Sequence, residues 1–286
     1  MKPKETDMRI RLAGVLVFIV LCGSAIPHAA AGQQRPPYYL SLGDSLAVGI
    51  QPLGNMGANI PTPNGYANYL YAQLHSGNPN LMLAQLGCSG ETTVTMIKGG
   101  ICSYSGAASQ LEAAINFLEN NQVVLVTLDI GADDLDQCIS QTGINTACVE
   151  SGLSSVGSNL PWILARLRAA AGPHTRIVAM NYYDPFLAAW GPPVNNKALA
   201  LESLDVTTVF NGLLEAIYQS FGVPVADVAH AFRIYNFALV PGEDVPVNVF
   251  LEVELTWITA PVPNPHPTAS GYLDIAQAFA SKIGAL

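Results

Sequence analysis

Positive charge is scarce in this chain. Its 286 residues include 12 Lys and Arg against 21 Asp and Glu, a formal net charge of −9. The basic residues are scattered and form no patch, which argues against nucleic acid or an anionic membrane as a partner. Metal-ligand patterns are also lacking: there is no Cys-x-x-Cys pair and no histidine cluster, so no metal site and no cofactor is expected. No Gly-x-Gly-x-x-Gly marks the first turn, which leaves a flavodoxin-like phosphate or nucleotide binder a distant third reading. Internal repeats, coiled-coil heptads and low-complexity tracts are missing as well. An apolar run at the amino end, Leu12–Ile26, is shorter than the ~20 residues that a spanning helix needs.

That run has a different meaning. Lys2, Lys4, Arg9 and Arg11 precede it and Ala29-Ala30-Ala31 follows it, the pattern of a secretory signal peptide over residues 1–31. The leader carries four basic and two acidic groups, so without it the formal charge moves from −9 to about −11. Residues 32–286 then form a single domain of ample size for a core, secreted or held in the cell envelope, with no stable membrane insertion after cleavage. Four cysteines remain in it: Cys88, Cys102, Cys138 and Cys148. An even number in an exported chain points to two disulfides, with three pairings open. The local pairing, Cys88–Cys102 with Cys138–Cys148, closes short loops, each worth up to about 3 kcal/mol on loop entropy.

Apolar and amphipathic runs alternate along the domain, the signature of an α/β fold. Strands are predicted over 38–42, 81–86, 123–130, 176–183 and 223–228. Helices are predicted over 66–74, 108–118, 153–171, 198–221 and 268–283. The Gly/Pro/Asn-rich stretch 51–64 is long for a connection, and 229–265 reads as irregular. Parallel strands joined by right-handed helical crossovers give a three-layer α/β/α sandwich with a five-stranded sheet.

The chemistry-bearing stretch is Tyr38-Tyr-Leu-Ser-Leu-Gly-Asp-Ser-Leu46, a buried strand running into a tight bend. Open α/β sheets bind ligands at the carboxyl ends of their strands, so Ser45 is expected to face a crevice. A serine hydroxyl needs a base to become a nucleophile. His28 leaves with the leader, and His75, His174 and His230 sit in unremarkable contexts. His266 stands between two prolines in Asn264-Pro-His-Pro-Thr268, a rigid loop before the last helix, and pre-positioning is what a general base requires.

Four blocks then occur in order: Gly43-Asp-Ser-Leu46, Gly87-Cys-Ser-Gly90, Asp129-Ile-Gly-Ala-Asp-Asp134 and the His266 loop. Together they resemble the GDSL or SGNH hydrolases, and the resemblance spans nearly the whole mature chain. It implies a flavodoxin-like parallel sheet and ester hydrolysis by acyl transfer. Ser45 is then the nucleophile and His266 its base. The backbone N–H groups of Ser45 and Gly90 serve as oxyanion donors, and Asp44 braces the turn. The implied substrate is a small ester, a lipid or an acylated glycan; nothing in the sequence speaks to oligomeric state.

Two departures from the family pattern stand out. Its third oxyanion donor is an asparagine side chain, whereas this chain has Asp133. An ionised carboxylate cannot donate, and a buried, neutral one can. The acid that orients the histidine usually lies three residues before it. Here that residue is Pro263, and Asn264, two before, is the candidate orienter. Glu252 and Glu254 rank behind it. Tyr183 and Asp184, after the fourth strand, are candidate substrate contacts, and Trp190 and Trp257 are candidate walls of an acyl or sugar subsite. The alternative to an enzyme is an impaired relative that binds an ester, lipid or glycan without efficient turnover.

Overall fold

The computed structural model describes Met1 and residues 35–54, 57–259 and 263–284. The chain divides between Gln34 and Arg35, and Arg35–Leu286 is the larger of the two compact units. The signal-peptide expectation, apart from Met1, lies outside the described residues.

Five parallel strands form the central sheet: β1 Tyr38–Gly43, β2 Met82–Gln85, β3 Val123–Asp129, β4 Arg176–Met180 and β5 Val225–Ala226. Their order is β2-β1-β3-β4-β5, the flavodoxin-like order. Tyr39 to Leu42 on β1 and Leu125 to Asp129 on β3 are buried at every position. Successive strand residues face opposite sides, so burial of all of them means that both faces of the sheet are covered.

The helices provide that cover. They are α1 Ser45–Val48, α2 Tyr66–Gly77, α3 Thr93–Lys98, α4 Gln110–Asn120, α5 Thr146–Ala171, α6 Lys197–Ser220, α7 Val228–Ala231, α8 Val247–Leu255 and α9 Ala269–Ile283. α2 packs on α9, with Tyr66 stacked on Phe279 at 4.8 Å between ring centroids. α4, α5 and α6 pack in series as a second group. Among the described residues no helix is long and apolar enough to cross a membrane.

The core elements match their predicted places within a few residues, and several regions differ, among them α3, which has no predicted counterpart. α5 begins at Thr146 rather than near Leu153, because Asn145 caps it by accepting from Cys148 N at 3.1 Å. The stretch read as irregular holds α7 and α8. α8 follows Pro246, and it buries Asn248 and Glu252 while exposing Phe250, so it offers no amphipathic period to read. The long connection carries a two-stranded antiparallel ribbon, Ile50–Leu53 with Ala58–Pro61. Both disulfides follow the local pairing, Cys88–Cys102 and Cys138–Cys148, with Cα separations of 6.0 and 5.4 Å.

Candidate active site

The strand order reverses between β1 and β3, and such a switch point opens a crevice at the carboxyl ends of the strands. Four connections meet there. The first is the bend after β1. Gly43 has φ +136°, and a Cβ placed on it would lie 1.9 Å from the carbonyl oxygen of Asp129, so only glycine fits. The Gln110 side-chain amide grips this residue from both sides: its Oε1 accepts from Gly43 N at 2.7 Å, and its Nε2 donates to Gly43 O at 2.8 Å. Asp44 caps α1 by accepting from Leu46 N at 2.8 Å. Asp129 Oδ2 accepts from Asp44 N at 3.3 Å and Ala47 N at 3.1 Å, and Tyr66 donates its hydroxyl to Oδ1 of the same carboxylate. Ser45 is the first residue of α1 and lines the cavity.

The second connection carries Gly90, with φ +82°. Cys88 N donates to Gly43 O at 3.0 Å, which fastens this turn to the bend, and the bond to Cys102 fastens it again. The third is the turn Ala132–Asp134 after β3. Its two carboxylates part company. Asp134 accepts from the backbone N of Thr93 at 2.7 Å and from the Thr93 hydroxyl at 2.8 Å, outside the cavity. Asp133 lines the cavity. Burial, followed by the neighbouring carboxylates of Asp44, Asp134 and Glu91, pushes its pKa up to about 8. α5 approaches this turn closely at Gly152, where a Cβ would lie 2.4 Å from Asp134 O.

The fourth connection precedes α9. His266 Nδ1 and backbone N both meet Asn264 Oδ1, at 2.6 and 3.0 Å. Asn264 Nδ2 donates to Asn59 Oδ1 at 2.5 Å, on the ribbon. With Nδ1 as donor, the other ring nitrogen is left as an acceptor. Burial lowers the His266 pKa to about 4, so the ring is neutral across the ordinary pH range. Three further bonds hold the loop: Tyr183 donates its hydroxyl to Pro265 O at 2.7 Å, Trp257 N donates to His266 O at 3.0 Å, and Thr268 N donates to Leu255 O at 2.8 Å.

Ser45, Gly90, Asp133 and His266 therefore line one cavity of about 200 Å³. Tyr183 and Asp184 line it as well, but their polar groups are bound within the protein. Tyr183 stacks on Phe232, and Asp184 accepts from Phe186 N at 3.0 Å and the Ser203 hydroxyl at 2.9 Å. Trp190 and Trp257 are not among the residues lining it. Glu252 does not meet His266: it is fully buried on α8, its pKa is raised by burial, and neither carboxylate oxygen has a partner among the described residues. Glu254 is exposed. No group of three or more His, Cys, Asp or Glu among the described residues is placed to hold a metal ion.

Sequence reading missed Gln110 and Asn59. Both are amides that act on the site from other elements, and neither belongs to a motif. A serine and a neutral imidazole lining one cavity, with a glycine turn and a raised-pKa carboxyl beside them, are components suited to acyl transfer through a serine.

Comparison with known structures agrees on the fold. A variant of an acetyl xylan esterase from Geobacillus stearothermophilus is 17% identical, with a TM-score of 0.54 over 87% of this chain and 94% of that one. An extracellular lipase from Streptomyces rimosus is 20% identical, with a TM-score of 0.55 over 85% and 99%. A carbohydrate acetylesterase from Sinorhizobium meliloti is 15% identical, with a TM-score of 0.50 over 86% and 98%. No curated protein matches the sequence. The model of the GDSL-like lipase/acylhydrolase family matches residues 41–273, which takes in all four connections of the cavity, and the chain belongs to that family.

Proposed function

We propose that this protein is a secreted serine esterase. Ser45 Oγ attacks the ester carbonyl while the free ring nitrogen of His266 takes its proton. The tetrahedral oxyanion accepts hydrogen bonds from the backbone N–H groups of Ser45 and Gly90 and from the neutral carboxyl of Asp133. His266 then returns the proton to the departing alcohol, which leaves an acyl group on Ser45. Water, deprotonated by His266, releases the acid and restores the hydroxyl. Asn264 fixes the tautomer of His266 in place of a carboxylate. Secretion rests on the expected leader and on two disulfides, which persist in oxidising compartments.

The observation that carries this reading is the state of His266: a neutral ring, held at Nδ1 by Asn264, in the cavity that Ser45 lines. Hydrolysis of p-nitrophenyl acetate is the test. Wild type is expected to exceed Ser45→Ala by more than about 10³, and equal rates would leave a ligand binder as the remaining reading. Asp133 is the feature that favours that second reading, because an ionised carboxylate repels the developing charge.

The pH profile separates the two. His266 is a base only above about pH 4, and Asp133 is a donor only below about pH 8. Activity should rise through the first value and fall through the second. At pH 9 only about a tenth of Asp133 is protonated, so Asp133→Asn should raise the rate there about tenfold. A loss of rate at every pH in that variant would show that the acid does more than donate.

A further inference from the structure

A second chamber of about 270 Å³ adjoins the catalytic cavity. The two share Ile139, Pro185, Phe186 and Pro265 as walls. Beyond them the chamber is lined by Ala188, Val194, Leu199 and Ile258 among others, and among the described residues its polar side chains are Ser140, Gln141 and Thr259. Among the described residues no charged side chain lines it, and no aromatic ring does except the shared Phe186. A sugar needs several hydrogen-bonding groups to replace its water, and these walls offer few.

The chamber also has a side. Ile258, Thr259, Pro263 and Pro265 come from the segment that carries His266, whereas nothing from the Gly87–Gly90 turn reaches it. In the proposed reaction the departing alcohol takes its proton from His266, so the alcohol half of the ester lies on the base side. We propose that this chamber receives an apolar alkyl chain on the alcohol half of the substrate, so that the preferred ester is that of an aliphatic alcohol rather than of a sugar. This rests on the reading of Ser45 and His266 given above.

Two ester series test it. In alkyl acetates from ethyl to octyl, leaving-group basicity is nearly constant, so chain length is the variable. kcat/KM should climb by about fourfold for each methylene that enters the chamber. In p-nitrophenyl esters from acetate to octanoate the dependence should be much weaker. Val194→Trp, which fills the chamber, and Val194→Asp, which charges its wall, should each flatten the alkyl series while leaving methyl acetate, whose alcohol has no chain to seat, within twofold of wild type. A length preference confined to the acyl series would overturn the proposal, as would a preference for acetylated xylose over octyl acetate. Calorimetry of 1-octanol with Ser45→Ala separates this proposal from the catalytic one. Binding that Val194→Asp abolishes supports the chamber even if no ester is turned over; no binding to Ser45→Ala sinks it even if esters are hydrolysed.

Discussion

The two halves of the site are held by different means. The Ser45 half is set within the sheet: a left-handed glycine, a strand register and the buried side chains of Gln110 and Asp129 leave the bend one conformation. The His266 half is set by side chains and loop carbonyls drawn from distant segments: Asn59 through Asn264, Tyr183 through Pro265 O, and Trp257 N on His266 O. A nucleophile that must meet both a carbonyl carbon and its own oxyanion donors tolerates little displacement. A base needs only to reach one proton, twice, from slightly different positions. Rigidity concentrated on the serine side and a tethered base on the other fits that asymmetry.

Damage to the rigid half should therefore cost stability and activity together. Gly43→Ala is the largest change: the new methyl meets Asp129 O inside any contact distance, and φ +136° is strained for alanine in addition. We expect Tm to fall by about 10 °C or more, with esterase activity lost. Retention of both would mean that β1 and β3 can part without consequence. Gln110→Ala is milder. Gly43 O keeps Cys88 N as a donor, so the groups that lose a bond are Gly43 N–H, the Glu91 carboxylate and the Tyr104 hydroxyl. An orphaned buried group costs about 1–3 kcal/mol, so a Tm drop of several degrees should accompany a clear fall in kcat.

The same asymmetry governs what could be read from the sequence. The strands, the larger helices and the four connections announce themselves through apolar runs and glycine-bearing blocks. Ser45, Gly90, Asp133 and His266 were legible because each ends or follows a predicted strand or precedes a helix. Asn264 was legible because it stands two residues from His266. Gln110 and Asn59 were not: their importance comes from tertiary contacts across 67 and 205 residues of sequence, respectively. α8 was hidden for another reason, since a short helix that buries Asn248 and Glu252 and exposes Phe250 has no regular polar face to mark its period. The substrate reading suffers the same limit, because the second chamber is assembled from three separate stretches, 139–141, 185–199 and 258–265, with no motif among them.

The tethered half predicts a subtler response, and Asn59→Ala isolates it. Asn59 is itself exposed and its removal leaves one donor of the buried Asn264 without its partner, so Tm should fall by only a few degrees. What it loses is the acceptor for Asn264 Nδ2, and with it one of two restraints on which way the Asn264 amide faces, the other being the bond from His266 N to Oδ1. A freed amide can turn its nitrogen toward His266, and the favoured tautomer then shifts away from the one that leaves the catalytic nitrogen as an acceptor. A single hydrogen bond is worth about 0.5–1.5 kcal/mol, so kcat/KM should fall about twofold to tenfold, in kcat rather than KM. Asn59→Asp restores an acceptor and adds a negative charge one side chain removed from the ring. It should therefore recover the rate and raise the acid limb of the pH profile, because a nearby carboxylate favours imidazolium. A change in KM alone in both variants would make the ribbon a substrate contact instead of a strut for the base.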